Sequence, residues 1–394
     1  MNKEAGKAAR MHKPDLQMVD LRGQYLSIKA EIDEAIAAVI DSSAFIRGRF
    51  VSEFEEQLAS HLKVAHVIAV GNGTDALQIA LMALGVGPGD EVIAPSFTFV
   101  ATSEAASLLG AVPVFADIEP ETFNINPDCT ETLITERTKA IVPVHLYGQP
   151  CDMDAIRAIA SKHGVSVVED NAQSIGSKYG DQFSGTIGDL GTLSFFPSKN
   201  LGCFGDGGAI TTNDGDLADA ARLIANHGSV KKYHNEVVGV NSRLDGIQAA
   251  ILSVKLRHLD SYNSARIEAA DRYDALFSDC QFIISPPRAL NRTHVFHQYT
   301  VRVTNERIGA RDALSTYLRD EQIPHAVYYP IPVHALPVNR NSAQPGRSGD
   351  MTHTNIASDQ VISLPMHTEL TNGQIEYIAG HVVRFLENFE TVPA

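Results

Sequence analysis

The sequence predicts an α/β fold, a mostly parallel mixed sheet flanked by helices, followed by a smaller α+β unit. Short β-branched apolar runs alternate with amphipathic stretches from about residue 66 to 255, which favours parallel strands connected by helices. This alternation stops near residue 260. The length of 394 residues suits two or three domains. We expect a flexible tail over 1–18, a large domain over 19–258 and a small C-terminal domain over 259–394.

The individual elements follow from hydrophobic periodicity. Ile28, Ile32 and Ile36 lie on one face of a predicted helix over 25–41. The other predicted helices cover 52–62, 75–85, 153–164, most of 246–278 and 306–321, and the predicted strands cover 66–70, 91–97, 113–118, 140–146, 165–170, 191–196, 297–303 and 325–329. The polar segment 339–350 is rich in turn formers and predicts a mobile loop at the mouth of the site.

Composition excludes several classes of function. Acidic residues outnumber basic ones by 47 to 32, and the net charge of −15 argues against a nucleic-acid partner. The cysteines, Cys129, Cys151, Cys203 and Cys280, form no CxxC pair, and the histidines are scattered, so we expect reduced thiols and no metal site. No apolar run approaches the roughly 20 residues that span a membrane. We therefore expect a cytoplasmic protein.

The turn Gly71–Ala76 follows a predicted strand and opens a predicted helix. Free backbone N–H groups at such a helix start bind phosphate. The residues also match the dinucleotide pattern G-x-G-x-x-A, which requires an acid at the end of the next strand. Glu91 has the spacing but stands at the start of its strand. By itself the turn is equally well explained as an ordinary glycine-rich connection.

Two further residues stand at strand ends. Asp170 ends the predicted strand 165–170, and Lys199 follows the predicted strand 191–196. Taken singly, Asp170 is more commonly a helix cap and Lys199 an ordinary loop lysine. With the turn at 71–76, they match what pyridoxal phosphate requires: a phosphate site, a carboxylate for the pyridine nitrogen and a lysine that forms a Schiff base.

Six longer strings make this sequence resemble a known family. They are GNGTDAL (71–77), PSFTFVAT (95–102), VEDNAQSIG (168–176), SFFPSKNLGCFGDGGAI (194–210), GVNSRLDGIQAAIL (239–252) and YYPIPVH (328–334). From about Val19 to the C-terminus the chain resembles the DegT/DnrJ/EryC1/StrS sugar-nucleotide aminotransferases. This resemblance implies the fold of the pyridoxal-phosphate-dependent transferases of fold type I.

The resemblance also implies residue roles. Lys199 is expected to form the internal aldimine and carry protons, and Asp170 to pair with the pyridine nitrogen. The expected cofactor contacts are Gln173 near the phenolic oxygen, Gly73, Thr74 and Ser194 at the phosphate, Phe97 stacked on the ring and Asn241 reaching the phosphate from the other subunit. The expected substrate residues are Arg243, facing an acidic group, and Tyr328 and Tyr329 at the sugar. Asp206 is read as structural.

The implied reaction is a ping-pong transfer of the amino group of L-glutamate to a keto-sugar nucleotide, in a homodimer with a shared active site. The FFPSK-NLGC-GDGGA form is most similar to transaminases acting on the C3 ketone of UDP-2-acetamido-3-keto-hexuronic acids in surface-polysaccharide (O-antigen) synthesis. A dTDP-linked 3-keto- or 4-keto-6-deoxyhexose is an alternative substrate. Three different activities stay open: a sugar dehydratase, against which Lys199 argues, an NAD-dependent dehydrogenase and a non-catalytic sensor.

Overall fold

The computed structural model describes residues 14–231, 233–304, 309–340 and 346–389. Most of the expected tail over 1–18 and the centre of the predicted loop over 339–350 lie outside these ranges. In the described part of the chain, no helix is long and apolar enough to cross a membrane.

The strands and helices can be given in chain order. The strands are β1 (His66–Val70), β2 (Glu91–Pro95), β3 (Val112–Ala116), β4 (Thr138–Ile141), β5 (Ser166–Asp170), β6 (Lys178–Tyr179), β7 (Gln182–Phe183), β8 (Leu190–Ser194), β9 (Gly208–Thr212), β10 (Ser229–Lys231), β11 (His234–Asn235), β12 (Ile283–Ile284), β13 (Tyr299–Val303), β14 (Arg347–Ser348) and β15 (Val361–Leu364). The α-helices are α1 (Leu21–Ser27), α2 (Lys29–Ser42), α3 (Arg49–Leu62), α4 (Gly73–Ala83), α5 (Ala101–Leu108), α6 (Pro127–Leu133), α7 (Met153–His163), α8 (Gly215–Ala225), α9 (Gly246–Leu256), α10 (Leu259–Phe277), α11 (Ala310–Asp320), α12 (Pro337–Arg340), α13 (Thr352–Gln360) and α14 (Asn372–Asn388).

Eight strands form one large sheet in the order β1-β9-β8-β5-β4-β2-β3-β14. Strand β9 runs antiparallel to both of its neighbours, and the other adjacent pairs are parallel. The predicted mostly parallel mixed sheet is confirmed. The carboxyl ends of β1, β2, β5 and β8 lie at one edge, so the residues that follow these strands are brought together.

Helices cover both faces of this sheet because its strands are apolar on both sides. In β1, Ile68 and Val70 pack with α4, α5 and α8, whereas Val67 and Ala69 pack on the opposite face with α3 and α9. Strand residues that face two helix layers read as continuous apolar runs rather than as alternating ones. This explains why the sequence HVIAV identifies a central strand.

A second sheet, β12-β13-β15, is antiparallel. It shares a separate core with α10, α11 and α14, in which the rings of Tyr273 and Tyr299 stack at 4.6 Å. The residues of this core come from 269–386, as a smaller C-terminal unit would require. However, β14 pairs with β3 in the large sheet, and the boundary at 258/259 stays a prediction.

Three sequence predictions need correction. The helix over 25–41 is divided at Ile28, which is buried against Ile251 and Val254 of α9. The strand over 325–329 is reduced to one bridge between Ala326 and Ser363, after which the chain leaves the sheet. The described ends of segment 339–350 are not loose, since α12 reaches Arg340 and β14 joins the large sheet.

Glu91 of β2 connects the segment before β4 with the edge strand β14 through hydrogen bonds. Its side chain is fully buried and accepts hydrogen bonds from Arg137 at 2.7 Å, Arg347 at 3.0 Å and Thr135 at 2.7 Å. Burial by itself raises the pKa of Glu91, but these donors outweigh it and hold the pKa below its ordinary value. The Glu91 carboxylate therefore has a structural role. It is not free to act as the acid that a dinucleotide site requires, which binds the ribose of the nucleotide.

We predict that Glu91→Gln lowers the free energy of unfolding by roughly 2–4 kcal/mol at pH 7, because two arginines lose a buried anionic acceptor. The native pKa is lowered, so this stabilisation is present above the unfolded carboxyl pKa and disappears as the pH falls through the native value. Urea unfolding at pH 7 and at lower pH measures both effects, with the exposed Glu121→Gln as control. Equal stabilities of the wild type and Glu91→Gln at pH 7 would contradict the assignment.

Candidate active site

A cavity of about 630 Å³ opens at the carboxyl edge of the large sheet. Its wall is built from the segments that follow β1, β2, β4, β5 and β8 and from the two residues that precede β9. Further wall residues come from 297–298 and 328–329. Among the predicted residues, the wall contains Gly73, Thr74, Asp170, Gln173, Ser194, Lys199, Tyr328 and Tyr329.

The turn after β1 closes tightly against the end of β8. Asn72 caps α4 by accepting a hydrogen bond from the Asp75 N–H at 2.8 Å, which leaves the start of the helix facing the cavity. A Cβ atom on Gly73 would lie 2.8 Å from Cβ of Ser194. Glycine is therefore required here by close packing, and the resulting concavity presents backbone N–H groups to an anion.

Lys199 and Asp170 influence each other electrostatically. Burial lowers the pKa of Lys199 to about 8, against the opposing attraction of the Asp170 carboxylate. Burial raises the pKa of Asp170, opposed by the Ala172 N–H at 3.1 Å, by the charge of Lys199 and by the Thr102 hydroxyl at 3.2 Å. A lysine with this pKa has roughly a tenth of its amine in the neutral, nucleophilic form at pH 7, far more than an ordinary lysine.

Gln173 is held in one orientation beside these residues. Its Oε1 accepts a hydrogen bond from the Tyr147 N–H at 2.7 Å, and its Nε2 donates to the Tyr329 hydroxyl at 3.2 Å. The Tyr147 hydroxyl in turn donates to the carbonyl oxygen of Tyr328. Gln173, Tyr328 and Tyr329 of the cavity wall are therefore connected through hydrogen bonds to one another or to the buried Tyr147 behind them.

Behind Asp170 lies a fully buried acidic residue, Glu169. It accepts hydrogen bonds from Nε2 of His145 at 2.7 Å and from the backbone N–H groups of Gly185, Ile187 and Gly188 at 2.8, 2.6 and 2.7 Å. Burial favours a raised pKa, but these donors lower the pKa of Glu169. Since Nδ1 of His145 accepts from the Cys151 N–H at 3.0 Å, the ring proton sits on Nε2. This network fixes the strand end that carries Asp170.

The structure places several predicted residues outside the cavity wall. Phe97 is fully buried in the core, whereas Phe99 is 56% exposed and lines the cavity, so Phe99 rather than Phe97 is positioned to stack on a bound ring. Asn241 is exposed and Arg243 lines a different cavity. Asp206, which we expected to be structural, is exposed in the cavity wall instead.

Sequence reasoning missed His297 and Gln298, which line the cavity although each is only 9% exposed. Nδ1 of His297 and Oε1 of Gln298 are buried without a hydrogen-bond partner among the described residues. Burial and the charges of Lys199 and Arg266 lower the pKa of His297, so its imidazole is neutral. Both residues directly precede β13 and are distant in sequence from the motifs, so only the tertiary fold identifies them. Among the described residues, no cluster of His, Cys, Asp and Glu could hold a metal ion.

Comparison with known proteins identifies the family of this chain. The model of the DegT/DnrJ/EryC1/StrS aminotransferase family matches residues 26–383. The chain belongs to this family. The resemblance inferred from the motif strings is thereby confirmed, and the protein is an aminotransferase. The dehydrogenase and dehydratase hypotheses are wrong.

Similar proteins cover nearly the whole aminotransferase chain. A UDP-2-acetamido-2-deoxy-3-oxo-D-glucuronate aminotransferase from Pseudomonas aeruginosa is 47% identical, with 93% of this chain and 99% of the relative covered. A pleiotropic regulatory protein from Geobacillus stearothermophilus is 46% identical, with 95% and 100% covered. A UDP-N-acetyl-3-dehydro-α-D-glucosamine 3-aminotransferase from Acidithiobacillus ferrooxidans is 44% identical, with 94% and 98% covered.

Solved structures agree with the fold assignment. DesV from S. venezuelae, in complex with a ketimine intermediate, superposes with a TM-score of 0.91 at 40% identity, covering 96% of this chain and 100% of that one. NtdA from Bacillus subtilis, with bound cofactor PMP, gives a TM-score of 0.86 at 32% identity and covers 96% and 87%. The fold of the pyridoxal-phosphate-dependent aminotransferases is therefore confirmed for this chain.

We predict that Asp170→Asn lowers the pKa of Lys199 below about 8 in the cofactor-free aminotransferase, because the carboxylate is the group that opposes burial. The neutral, reactive fraction of the amine at pH 7.5 then rises. This shift is measured by the rate at which an amine-reactive reagent modifies Lys199 at a series of pH values. Peptide mapping identifies the modified lysine. The exposed Asp181→Asn serves as control. A raised or unchanged pKa in Asp170→Asn would disprove the electrostatic link.

Proposed function

We propose that this aminotransferase uses pyridoxal phosphate to move the amino group of L-glutamate to the ketone of a nucleotide-linked sugar. The observation that carries the proposal is that one cavity holds a phosphate-type turn, a buried strand-end aspartate and a lysine of lowered pKa. These are the three groups that this cofactor requires. We also propose that the enzyme works in the cytoplasm, in agreement with its four free cysteines.

The residues of the cavity fit this cofactor. The start of α4 at Gly73 and Thr74 and the side chain of Ser194 line the cavity together, so they would hold the phosphate group. Asp170 is positioned to accept a hydrogen bond from a protonated ring nitrogen, and Phe99 offers an aromatic face. Bound pyridoxal phosphate supplies an electron-withdrawing ring that stabilises the charge left when a proton leaves the substrate carbon.

The chain's own residues then perform the remaining tasks. Lys199 Nζ, with its pKa lowered to about 8 by burial, would accept a proton from the substrate carbon and deliver it to C4′ of the bound cofactor. The Ala172 N–H, the charge of Lys199 and the Thr102 hydroxyl favour the ionised form of Asp170 against burial, and the ionised carboxylate would keep the ring nitrogen protonated. Gln173, fixed by Tyr147 and Tyr329, donates toward the phenolic oxygen. The two tyrosines at 328 and 329 close the wall on the sugar side.

For the acceptor we propose the C3 ketone of a UDP-2-acetamido-3-keto-hexuronic acid, leading to an amino sugar for surface polysaccharide such as O-antigen. Two relatives at 47% and 44% identity are named for UDP-linked 3-oxo sugars. A second candidate is a dTDP-linked keto-deoxyhexose, because a relative from Streptomyces venezuelae at 41% identity is named as a dTDP-3-amino-3,4,6-trideoxy-α-D-glucose transaminase. A different function, a non-catalytic sensor, is a third candidate, because the relative from Geobacillus stearothermophilus is named as a regulatory protein. The presence of both Lys199 and Asp170 argues against it.

We further propose a homodimer with a shared active site. Near Asn241 the surface exposes large apolar side chains: Phe45 at 43%, Ile46 at 60% and Val238 at 87%. Phe45 and Asp245 lie on adjoining segments, since the Gly246 N–H donates to the carbonyl of Phe45 at 2.7 Å. Large apolar side chains that are exposed on adjoining segments favour an interface at this face. Asn241 would then reach the cofactor phosphate of the partner subunit.

We predict that the purified enzyme has a visible absorption band that shifts when glutamate is added and is restored by a keto-sugar nucleotide. Lys199→Ala should lose glutamate-dependent turnover by a factor of at least about 100, because proton transfer at the substrate carbon needs this amine. Lys178→Ala, a partly exposed lysine outside the cavity, is the control. Wild-type turnover in Lys199→Ala would disprove the mechanism, and a band that glutamate leaves unchanged would disprove the donor.

A mixing experiment tests the shared site. Lys199→Ala and Asn241→Ala are each expected to be impaired as homodimers. Random mixing should restore about a quarter of wild-type activity, because each mixed dimer holds one site with both residues intact. If Asn241 served its own subunit, no mixed dimer would contain an intact site, and activity would stay at the level of the parents.

A further inference from the structure

Gln298 carries a buried hydrogen-bond acceptor that the described part of the chain leaves without a partner. The residue lines the cavity around Lys199 and is only 9% exposed. Its Oε1 atom is buried and accepts no hydrogen bond from any described residue. A buried carbonyl oxygen that has lost its water without gaining a donor raises the free energy of the folded state. A ligand that brings an N–H or O–H group to this atom would relieve that penalty.

The segment that carries Gln298 is held to the loop of Lys199. Asn200, the residue after Lys199, is buried. Its Nδ2 donates to the carbonyl of Val295 at 3.0 Å and to Oδ1 of Asn263 at 2.8 Å. Because Val295 is only three residues before Gln298, this contact keeps the Gln298 side chain beside the reactive amine.

On its other side, the same segment adjoins the tyrosines of the cavity wall. The Gln298 N–H donates to the carbonyl of Tyr147 at 3.4 Å, and the Val295 N–H donates to the carbonyl of Gly148 at 2.9 Å. The Tyr147 hydroxyl donates in turn to the carbonyl of Tyr328. Gln298 therefore lies between the lysine loop and the side of the cavity that we assign to the sugar.

The residue before Gln298 adds no positive charge to this part of the cavity. Burial and the charges of Lys199 and Arg266 lower the pKa of His297 well below its ordinary value, so its imidazole is neutral. A carboxylate or phosphate would find no counter-charge on His297 or Gln298, and the Oε1 atom of Gln298 would repel it. These two residues therefore favour an uncharged group that carries a hydrogen-bond donor.

The ligands of the proposed reaction differ in the donors that they offer. The phosphate and phenolic oxygens of pyridoxal phosphate are acceptors, and its ring nitrogen is assigned to Asp170. The carboxylates of glutamate are acceptors as well. A sugar ring carries O–H groups or an acetamido N–H, and its ketone must approach Lys199. The keto-sugar is therefore the ligand that complements the unpaired atom of Gln298.

We propose that Gln298 is a specificity-determining residue whose Oε1 accepts a hydrogen bond from an N–H or O–H group on the ring of the keto-sugar. This inference rests on the proposed function and adds a residue that selects its sugar substrate. The hydrogen can come from an acetamido group at C2 or from a ring hydroxyl. A site that hydrogen-bonds a polar group discriminates against an analogue without that group, because its own atom is then left unpaired.

The test compares Gln298→Met, which removes the acceptor, with Gln298→Glu, which keeps an acceptor oxygen at this position. The matched control is Gln360→Met, because Gln360 ends α13, is 7% exposed and does not line the cavity around Lys199. Glutamate-treated holoenzyme is titrated by calorimetry with UDP, with the product UDP-2-acetamido-3-amino-hexuronic acid and with its 2-deoxy analogue. Both amino sugars bind to this form without reacting. Their affinities are expressed relative to that of UDP, so that charge effects common to the three ligands cancel.

In Gln298→Met we expect the relative affinity for the acetamido sugar to fall roughly tenfold, because the sugar donor loses its acceptor. Gln298→Glu should retain most of the wild-type preference, and Gln360→Met all of it. The glutamate half-reaction should stay unchanged in the three variants. The Tm of unliganded Gln298→Met should equal or exceed that of the wild type, because an unpaired buried polar atom has been removed. A residue with a purely structural role would instead lower the Tm.

The ligands separate the two sources of the hydrogen. A loss confined to the acetamido sugar assigns the bond to the C2 N–H, and an equal loss for the 2-deoxy analogue assigns it to a ring hydroxyl. Unchanged relative affinities in Gln298→Met, the same loss in Gln298→Glu, or a lowered Tm or failed folding of Gln298→Met overturns the inference and leaves the proposed function standing. If the wild type completes the glutamate half-reaction but binds neither amino sugar, the proposed acceptor class is wrong and the inference with it.

Discussion

The active site depends on the opposition between burial and charge at Lys199 and Asp170. Burial drives the lysine toward its neutral form and the aspartate toward its protonated form. The attraction between the two groups works in the other direction. A lysine in water would be fully protonated and unreactive, whereas a lysine buried without a carboxylate would be hard to protonate at all. The cavity places both residues where the amine can alternate between the two states near neutral pH.

This balance requires a rigid strand end, and the layer behind the site supplies it. Glu169 points away from the cavity and collects four N–H donors, one from His145 and three from the backbone of 185–188. A buried carboxylate satisfied to this degree costs far less than an unpaired one. Because Glu169 and Asp170 are adjacent in β5, fixing the first residue also fixes the direction of the second. The reactive pair is thus supported by a polar core rather than by apolar packing alone.

Two separate cavities lie in the described part of the chain, and Lys199 lines one of them. Asn241, Arg243 and Arg47 gather on a surface that also exposes apolar side chains. In the homodimer that we propose, this face would meet a second copy of the chain.

The sequence by itself determined the large sheet, the family and the residues that follow each strand. Apolar runs such as HVIAV can be recognised as strands because both faces of the sheet are covered by helices. Residues at strand ends, such as Gly73, Asp170 and Lys199, must converge at one edge when the strands are parallel.

Tertiary structure decided what periodicity does not encode. It placed Phe99 in the cavity and Phe97 in the core, although both lie in one motif, because the chain turns between them as it leaves β2. It also added His297 and Gln298 from a distant segment and placed Arg47 and Arg243, almost 200 positions apart, in the wall of one cavity. Such contacts arise only when separate layers pack against each other.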